Sequence, residues 1–186
     1  KRTNNNRNMN RSEPMPFYSR RIGRAPQLGL NGHDHADAPL ATTILGAAKL
    51  SGKAGPTEIG FIGAVTDREQ ARLALGETRE SQTVEPRTLY SVLRLRRPSA
   101  DGSRALGAML TGVRRDLDSD AARAALTREA WTAGLDGWLG LGAARSWALR
   151  GYLSASRIAG DAAAIAAQQR SSRRYFQRPE AHHLEY

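Results

Sequence analysis

Cysteine is absent from the 186 residues of this chain, and its absence excludes two classes of site. Without a thiol, the chain can form neither a disulfide framework nor a thiolate metal centre. Long apolar runs are also missing, since no stretch approaches the roughly 20 apolar residues of a transmembrane helix. The N-terminal segment KRTNNNRNMNRS lacks the apolar core of a signal peptide. We expect a segment of a longer protein, long enough for one domain with its own core.

Lysine is scarce as well, although the formal net charge is +10. Only Lys1, Lys49 and Lys53 are lysines, so arginine supplies nearly all of the positive charge. This balance is typical of proteins that bind nucleic acids or anionic surfaces. It is equally expected from an arginine- and alanine-rich composition without any partner. Because aromatic residues are not interleaved with the arginines as a stacking platform, we expect no nucleic-acid partner.

Short runs with a period of two residues are the clearest structural signal in the chain. They predict six strands, at 42–51, 58–66, 88–96, 104–113, 130–141 and 146–156. Most of these runs have the roughly 9–11 residues that a tilted strand needs to cross a bilayer. Strands of soluble proteins more often have about five or six residues.

The connections between the six predicted strands alternate strictly between short and long. The long segments are 67–87, 114–129 and 157–182. Up-and-down outer-membrane barrels show this asymmetry, with tight turns at one rim and longer loops at the other. We therefore predict an all-β fold, namely part of an antiparallel up-and-down transmembrane β-barrel with about six strands arranged as hairpins. Single-chain bacterial barrels have at least about eight strands, so we expect the remaining strands to lie outside this segment.

Short helices are predicted within the long connections. Residues 67–79 form one candidate, closed by Gly76. Residues 119–129 form a second, with Ser119 or Asp120 as the N-cap, and residues 160–176 form a third, with Asp161 as the N-cap. We expect these helices to cap or decorate the loops.

Three of the predicted strands separate clearly into an apolar and a polar face. We predict that the polar side faces the barrel lumen, with Arg94, Arg96, Arg150 and Tyr152 on it. An arginine in contact with lipid at mid-membrane costs about 2–4 kcal/mol, which makes the inward orientation the favourable one. An arginine-lined lumen is expected to prefer anions. The faces of 58–66 and 104–113 remain unassigned, because both are apolar or glycine-rich.

Trp131 and Trp147 lie near strand ends on the apolar face. Aromatic residues at this position form the interface girdle of membrane proteins. Ordinary packing in a protein core is an equally valid explanation of the two side chains.

The segment NGHDHADAP supplies weak metal-ligand candidates, His33, His35 and Asp37. A solvated loop rich in turn-forming residues accounts for the same pattern, so we predict no metal and no cofactor. Catalytic residues are not assigned either. There is no G-x-S-x-G elbow, and the acidic residues of 116–120 fall on a predicted exposed loop.

Five collinear stretches resemble one bacterial family. They are FYSRRIGRAP (17–26), ATTILGAAKLSGK (41–53), IGFIGAVTDRE (59–69), GAMLTGVRRDL (107–117) and RSSRRYFQRPEAHHLEY (170–186). The family is the "domain of unknown function 5916", whose members are similar to outer-membrane β-barrels. The resemblance covers 17–186 as a segment of one barrel domain and leaves 1–16 unplaced.

The resemblance implies a Gram-negative outer-membrane location and lipid as a partner. Family members typically carry a signal peptide and a family-9-like carbohydrate-binding module before the barrel. This implies an uncharacterised role as a channel or surface platform, with carbohydrate as a further candidate ligand. Two alternatives stay open: a surface glycan-degrading hydrolase, which needs two converging carboxylates, and a soluble basic β-protein that binds nucleic acid.

Overall fold

The computed structural model describes residues 17–30, 34–142 and 145–171. A short 3-10 turn, Ser19–Arg21, opens this part of the chain. The strands are β1 (His35–Asp37), β2 (Ile44–Ala54), β3 (Thr57–Thr66), β4 (Glu69–Leu75), β5 (Thr78–Glu85), β6 (Thr88–Pro98), β7 (Arg104–Arg115), β8 (Glu129–Leu141) and β9 (Trp147–Ala159). The helices are α1 (Asp120–Ala125) and α2 (Ala162–Gln169).

Six of the strands form one antiparallel sheet in the order β2-β3-β6-β7-β8-β9. All six strands predicted from the alternation are therefore confirmed, and so is the all-β class. Sequential neighbours pair directly, except where the β4–β5 hairpin intervenes between β3 and β6. Within the described residues, β2 and β9 each have a strand on one side only, so the sheet is open.

The short connections all lie at one end of this sheet, which we call the short-turn rim. Ala54 pairs with Thr57 across the two-residue turn Gly55–Pro56, and Gly55 has a φ of +58°. Glycine adopts this left-handed backbone without steric cost. The turns after β6 and β8 lie at the same end, whereas the long connections lie at the opposite end, the long-loop rim. The predicted alternation of connections is confirmed.

The prediction of a helix over residues 67–79 is wrong. This segment contains β4 and begins a hairpin to β5, and with β1 these strands form a second sheet in the order β1-β4-β5. From Gln70 to Leu73 exposed and buried residues alternate, with Ala71 and Leu73 buried, so the period over this stretch is two and not 3.6. Gly76, with a φ of +57°, opens the tight turn to β5 instead of ending a helix.

The other two predicted helices exist but are shorter than expected. The Ser119 hydroxyl accepts a hydrogen bond from the Ala122 amide at 3.1 Å, which caps the N-terminus of α1. Asp161 precedes α2 without a side-chain cap bond. The two helices pack against each other at the long-loop rim. Within the described part of the chain, no helix combines the length and apolarity that spanning a membrane requires.

The buried residues are not spread evenly over the molecule. A small apolar cluster of Ala71, Leu73 and Val84, joined by Leu30, lies in the second sheet. In the large sheet, buried side chains gather near the long-loop rim and include Ala64, Thr66, Thr88, Tyr90 and Val92. Most of the large sheet consequently has a solvent-accessible surface, which makes its two faces the candidate functional surfaces.

Candidate functional site: the two faces of the six-stranded sheet

The strand register assigns each side chain of the large sheet to a face. Residues directly opposite each other in antiparallel strands share a face, and neighbours along a strand alternate. One continuous set of partners crosses all six strands: Lys53, Glu58, Arg96, Gly107, Asp136 and Tyr152. We call this set the charged row and the face that carries it the polar face.

Every charged member of this row takes part in an ion pair. Glu58 lies between two cations, with its oxygens 3.7 Å from Lys53 Nζ and 3.4 Å from Arg96 Nη1. Asp136 is bound by both terminal nitrogens of Arg94, and Nη2 donates to Oδ2 at 2.8 Å. This bidentate geometry is the strongest hydrogen-bonded arrangement of an arginine and a carboxylate. The polar face therefore carries an organised set of charges.

Arg94 and Asp136 do not lie on neighbouring strands, because β7 runs between β6 and β8. Their bridge crosses β7 directly over Gly107. A Cβ at that position would lie 2.7 Å from Arg94 Nη2 and 2.7 Å from Asp136 Oδ1. A larger residue at 107 would force the ends of the Arg94 and Asp136 side chains to move, so Gly107 lets the bridge lie close to the backbone of β7.

The opposite face of the sheet, which we call the apolar face, holds large hydrophobic side chains that are 38–75 % exposed. They are Leu50, Phe61, Leu89, Leu106, Leu110, Trp131, Leu135, Leu139, Leu141, Trp147, Leu149 and Leu153. No other element of the described chain covers them. Folded monomers rarely expose a contiguous apolar surface of this extent, so the apolar face is a candidate contact surface for another protein or for lipid.

Charges on the apolar face are confined to strand ends. Arg97 and Arg104 lie at the short-turn rim, and Arg114, Glu129 and Arg157 lie towards the long-loop rim. The apolar face is therefore a band with a charged border on both sides.

Two tryptophans mark opposite ends of this band. Trp147 pairs with Leu141, and Trp131 pairs with Arg157, so ten residues of β9 separate the two levels. At about 3.3 Å per residue this distance is about 33 Å along the strand. A barrel strand tilted by about 40° would reduce it to about 25 Å, the height of the apolar band on outer-membrane barrels.

The residues predicted to face a lumen all lie together on the polar face: Arg94, Arg96, Arg150 and Tyr152. Trp131 and Trp147 lie on the apolar face, where the sequence placed them. The lumen and the membrane interface themselves stay predictions. Sequence reasoning did not pair Arg94 with Asp136, because the two residues are 42 positions apart and no local pattern joins them.

Residues 17–30, which we call the N-terminal arm, are hydrogen-bonded to β5 of the second sheet. The backbone N–H of Gln27 donates to Glu85 Oε2 at 2.9 Å, and its side-chain amide donates to Oε1 at 2.6 Å. Glu85 is only 1 % exposed. The Leu28 amide donates to the Val84 carbonyl at 3.0 Å. A buried carboxylate with both oxygens satisfied holds the arm in place.

Acidic residues at the long-loop rim are engaged by arginines. Arg68 lies 3.3 Å from an oxygen of Asp116 and 3.0 Å from an oxygen of Asp118. The backbone N–H of Arg68 donates to Asp67, and with the nearby Arg87 it lowers the pKa of that carboxyl. Because Asp116 and Asp118 share one guanidinium, their geometry serves to hold the loops together and gives the hydrolase alternative no support.

At the short-turn rim, a second loop contact joins two hairpins. Arg145, with a φ of 50°, donates from Nη1 to the Asp101 carbonyl at 2.8 Å and lies 3.2 Å from the Asp101 carboxylate. Hydrogen bonds from Ser99 and Ser103, with Arg145 nearby, hold the pKa of the Asp101 carboxyl well below its usual range. This rim is tied together by short polar contacts.

Two of the metal candidates lie on the short strand β1. His35 pairs with Ala74 and Asp37 with Arg72, so the two side chains project from the same face of that strand. His33 lies outside the described residues. In the part of the chain that the structure describes, no group of three or more metal-ligating side chains comes together.

Comparison with known proteins identifies one family. A family model described as "Domain of unknown function (DUF5916)" matches residues 14–127, which is more than half of the chain. Four of the five stretches that suggested this family fall within the match, and 170–186 falls beyond it. No curated protein and no solved structure matches the chain significantly. The chain belongs to the DUF5916 family of domains of unknown function.

Proposed function

We propose that the six-stranded sheet is part of the wall of a β-barrel in a bacterial outer membrane. One observation carries this proposal. Beyond the irregularity at the start of β2, the register gathers the exposed leucine, phenylalanine and tryptophan side chains on one face, and it puts the mid-strand charges on the other. Alternation of lipid-facing and water-facing residues is what a transmembrane barrel strand requires.

The energetics support only one orientation of this wall. Arg94 and Arg96 lie in the middle of β6, and turning either towards lipid would cost about 2–4 kcal/mol. The apolar face would therefore contact acyl chains, while the charged row would meet water. Trp131 and Trp147 would lie at the two interfaces, where aromatic rings are favoured.

The open edges of the sheet call for additional strands. The outer edges of β2 and β9 present unpaired backbone groups, which are costly in a membrane unless another strand binds them. We propose that strands outside the described residues pair with both edges and close the barrel. Its role would be that of a channel or surface platform, and the family resemblance adds carbohydrate as a candidate ligand.

Cysteine scanning tests the proposal, with any cysteine outside these 186 residues first replaced by serine, since the 186 residues themselves contain no thiol. Leu153→Cys and Ser154→Cys are neighbours on β9 that project from opposite faces. In proteoliposomes of the protein in its natural length, we expect the first thiol to be labelled by a lipid-phase probe only. The second should react with a water-soluble maleimide.

The outcome of that labelling decides between the two classes of protein. Equal reactivity of both thiols with the water-soluble maleimide would overturn the membrane wall. Detergent-free, monodisperse protein that binds RNA in a salt-dependent manner would favour the nucleic-acid-binding alternative instead.

A further inference from the structure

The polar face carries more positive than negative charge. Four neighbouring cross-strand rows, from the row of Lys49 to the row of Arg150, contain its mid-strand charges. In the described strands, the cations of these rows are Lys49, Lys53, Arg94, Arg96 and Arg150, and the carboxylates are Glu58 and Asp136. The face therefore keeps a positive excess even after every carboxylate has been matched with a cation.

Resting on the proposed barrel wall, we propose that the polar face selects small anionic solutes, with Lys49 and Arg96 as the residues that recognise them. Arginine and lysine lining is the usual basis of anion preference in pores. A charged lining within low-dielectric walls also concentrates counter-ions near itself. The two residues differ in how strongly the structure engages them, and this difference makes the proposal testable.

Arg94 contributes little to this selectivity because Asp136 holds it. Both oxygens of Asp136 are bound by the Arg94 guanidinium, and the pair crosses β7 over Gly107. The bridge is close to neutral as a unit and is fixed in position. Asp136 therefore lowers the net positive charge of the polar face.

Arg96 is less strongly neutralised than Arg94. Its only ion-pair partner among the described residues is Glu58, at 3.4 Å, and Glu58 also lies 3.7 Å from Lys53. One carboxylate cannot neutralise two cations, and both distances exceed those of a close charge-assisted hydrogen bond. Part of the charge of Arg96 remains available to a solute.

Lys49 lies on β2, further along the polar face than the ion pairs of the charged row. Its nearest neighbours in its own cross-strand row are Ile62 and Val92, and that row contains no carboxylate. Within the described residues it forms no salt bridge, and its side chain is exposed. An exposed ammonium group without a carboxylate beside it keeps its charge for an anionic solute such as phosphate or a carboxylate.

The test is the reversal potential of the protein, in its natural length, in a planar bilayer under a KCl gradient. The wild type should prefer chloride over potassium. Lys49→Gln should reduce the anion-to-cation permeability ratio by about twofold or more at low salt, because screening is then weakest. Asp136→Asn removes the negative charge that neutralises Arg94, and it should raise the anion-to-cation permeability ratio.

The matched control is Arg114→Gln, which removes one charge from the apolar face at the long-loop rim. We expect it to leave the ratio unchanged. Since Lys49 is exposed, its substitution tests the proposal even if Asp136→Asn impairs folding.

The outcomes separate this inference from the proposed wall. Cation preference, or variants at 49 and 136 that shift the ratio in the same direction, would overturn the anion inference. So would a complete absence of conductance in protein whose Leu153→Cys thiol is protected by lipid, although the membrane wall would then stand. Failure of that lipid protection would overturn the wall itself.

Discussion

The two faces of the large sheet are made by alternate residues of the same strands, yet one face carries charged side chains and the other carries large hydrophobic ones. In β8, Leu135 lies on the apolar face and its neighbour Asp136 on the polar face. The polar face pairs part of its charge in ion pairs and keeps a positive excess, whereas the apolar face leaves large hydrophobic side chains exposed. Charged groups are favourable in contact with water, and an uncovered hydrophobic surface of this extent is favourable in contact with an apolar partner.

The largest expected effect comes from placing a charge on the wrong face. Leu135→Arg introduces a guanidinium at the middle of β8 on the apolar face. In a membrane wall this should cost about 2–4 kcal/mol of folding free energy. Urea titration of the protein in lipid vesicles measures the loss. Ser154→Arg, one strand away on the polar face, is the control and should be nearly neutral; equal costs for both would remove the distinction between the faces.

A second experiment targets the glycine beneath the charged bridge. Gly107→Ala would bring a Cβ within 2.7 Å of the Arg94 and Asp136 side chains. We expect a loss of about 1–3 kcal/mol, the usual range for overpacking. Gly134→Ala, also on the polar face, is the matched control, because its nearest neighbours would lie at 3.6 and 3.7 Å. An unchanged unfolding midpoint for Gly107→Ala would show that the bridge tolerates displacement.

The N-terminal arm supplies a third experiment, which concerns its attachment to β5 of the second sheet. Gln27→Ala removes the side-chain amide that donates to Oε1 of the buried Glu85 and keeps the backbone N–H bond to Oε2, so one carboxylate oxygen loses its donor at a cost of about 1–3 kcal/mol. The arm should then open more often, and trypsin should cleave after Arg20, Arg21 or Arg24 faster than in the wild type. Gln82→Ala, which removes an exposed hydrogen bond of 3.3 Å to the arm, is the control. Identical cleavage rates in all three proteins would mean that Glu85 does not hold the arm.

The smallest effect is expected from pH at the short-turn rim. The pKa of Asp101 in the folded protein is depressed below its ordinary value of 3.8, so the carboxylate contributes stability above that value. This contribution is lost as the pH falls through the depressed pKa. Protection of the Ser103 amide against exchange should therefore persist at pH 4 in the wild type and fall only in stronger acid. Asp101→Asn should not show this fall in protection, and a variant that still shows it would assign the pH dependence to another group.

Much of the large sheet was accessible to local reasoning. Strand positions followed from alternation, and the arrangement in hairpins followed from connection length. For β6, β8 and β9 the polar and apolar residues differ enough to assign a face to each side chain. Family membership was also identified from sequence motifs, and the match to residues 14–127 confirms it.

The β4–β5 hairpin shows where local reasoning failed. DREQARLALGETR contains strong helix formers, so propensity favoured a helix. Burial of Ala71 and Leu73 against Val84 and Leu30 stabilises the strand instead. A seven-residue strand is too short for its period of two to outweigh propensity without knowledge of its packing partners.

Local order along the chain was enough to define six strands, their connections and three of their faces, because alternation and turn residues act between near neighbours. Only the tertiary structure decided the faces of β3 and β7, the bridge from Arg94 to Asp136 over Gly107, and the docking of the arm on Glu85. These features depend on register, on close approach and on contacts between residues up to 58 positions apart. No local pattern encodes such distances, since they arise only when the strands are brought side by side.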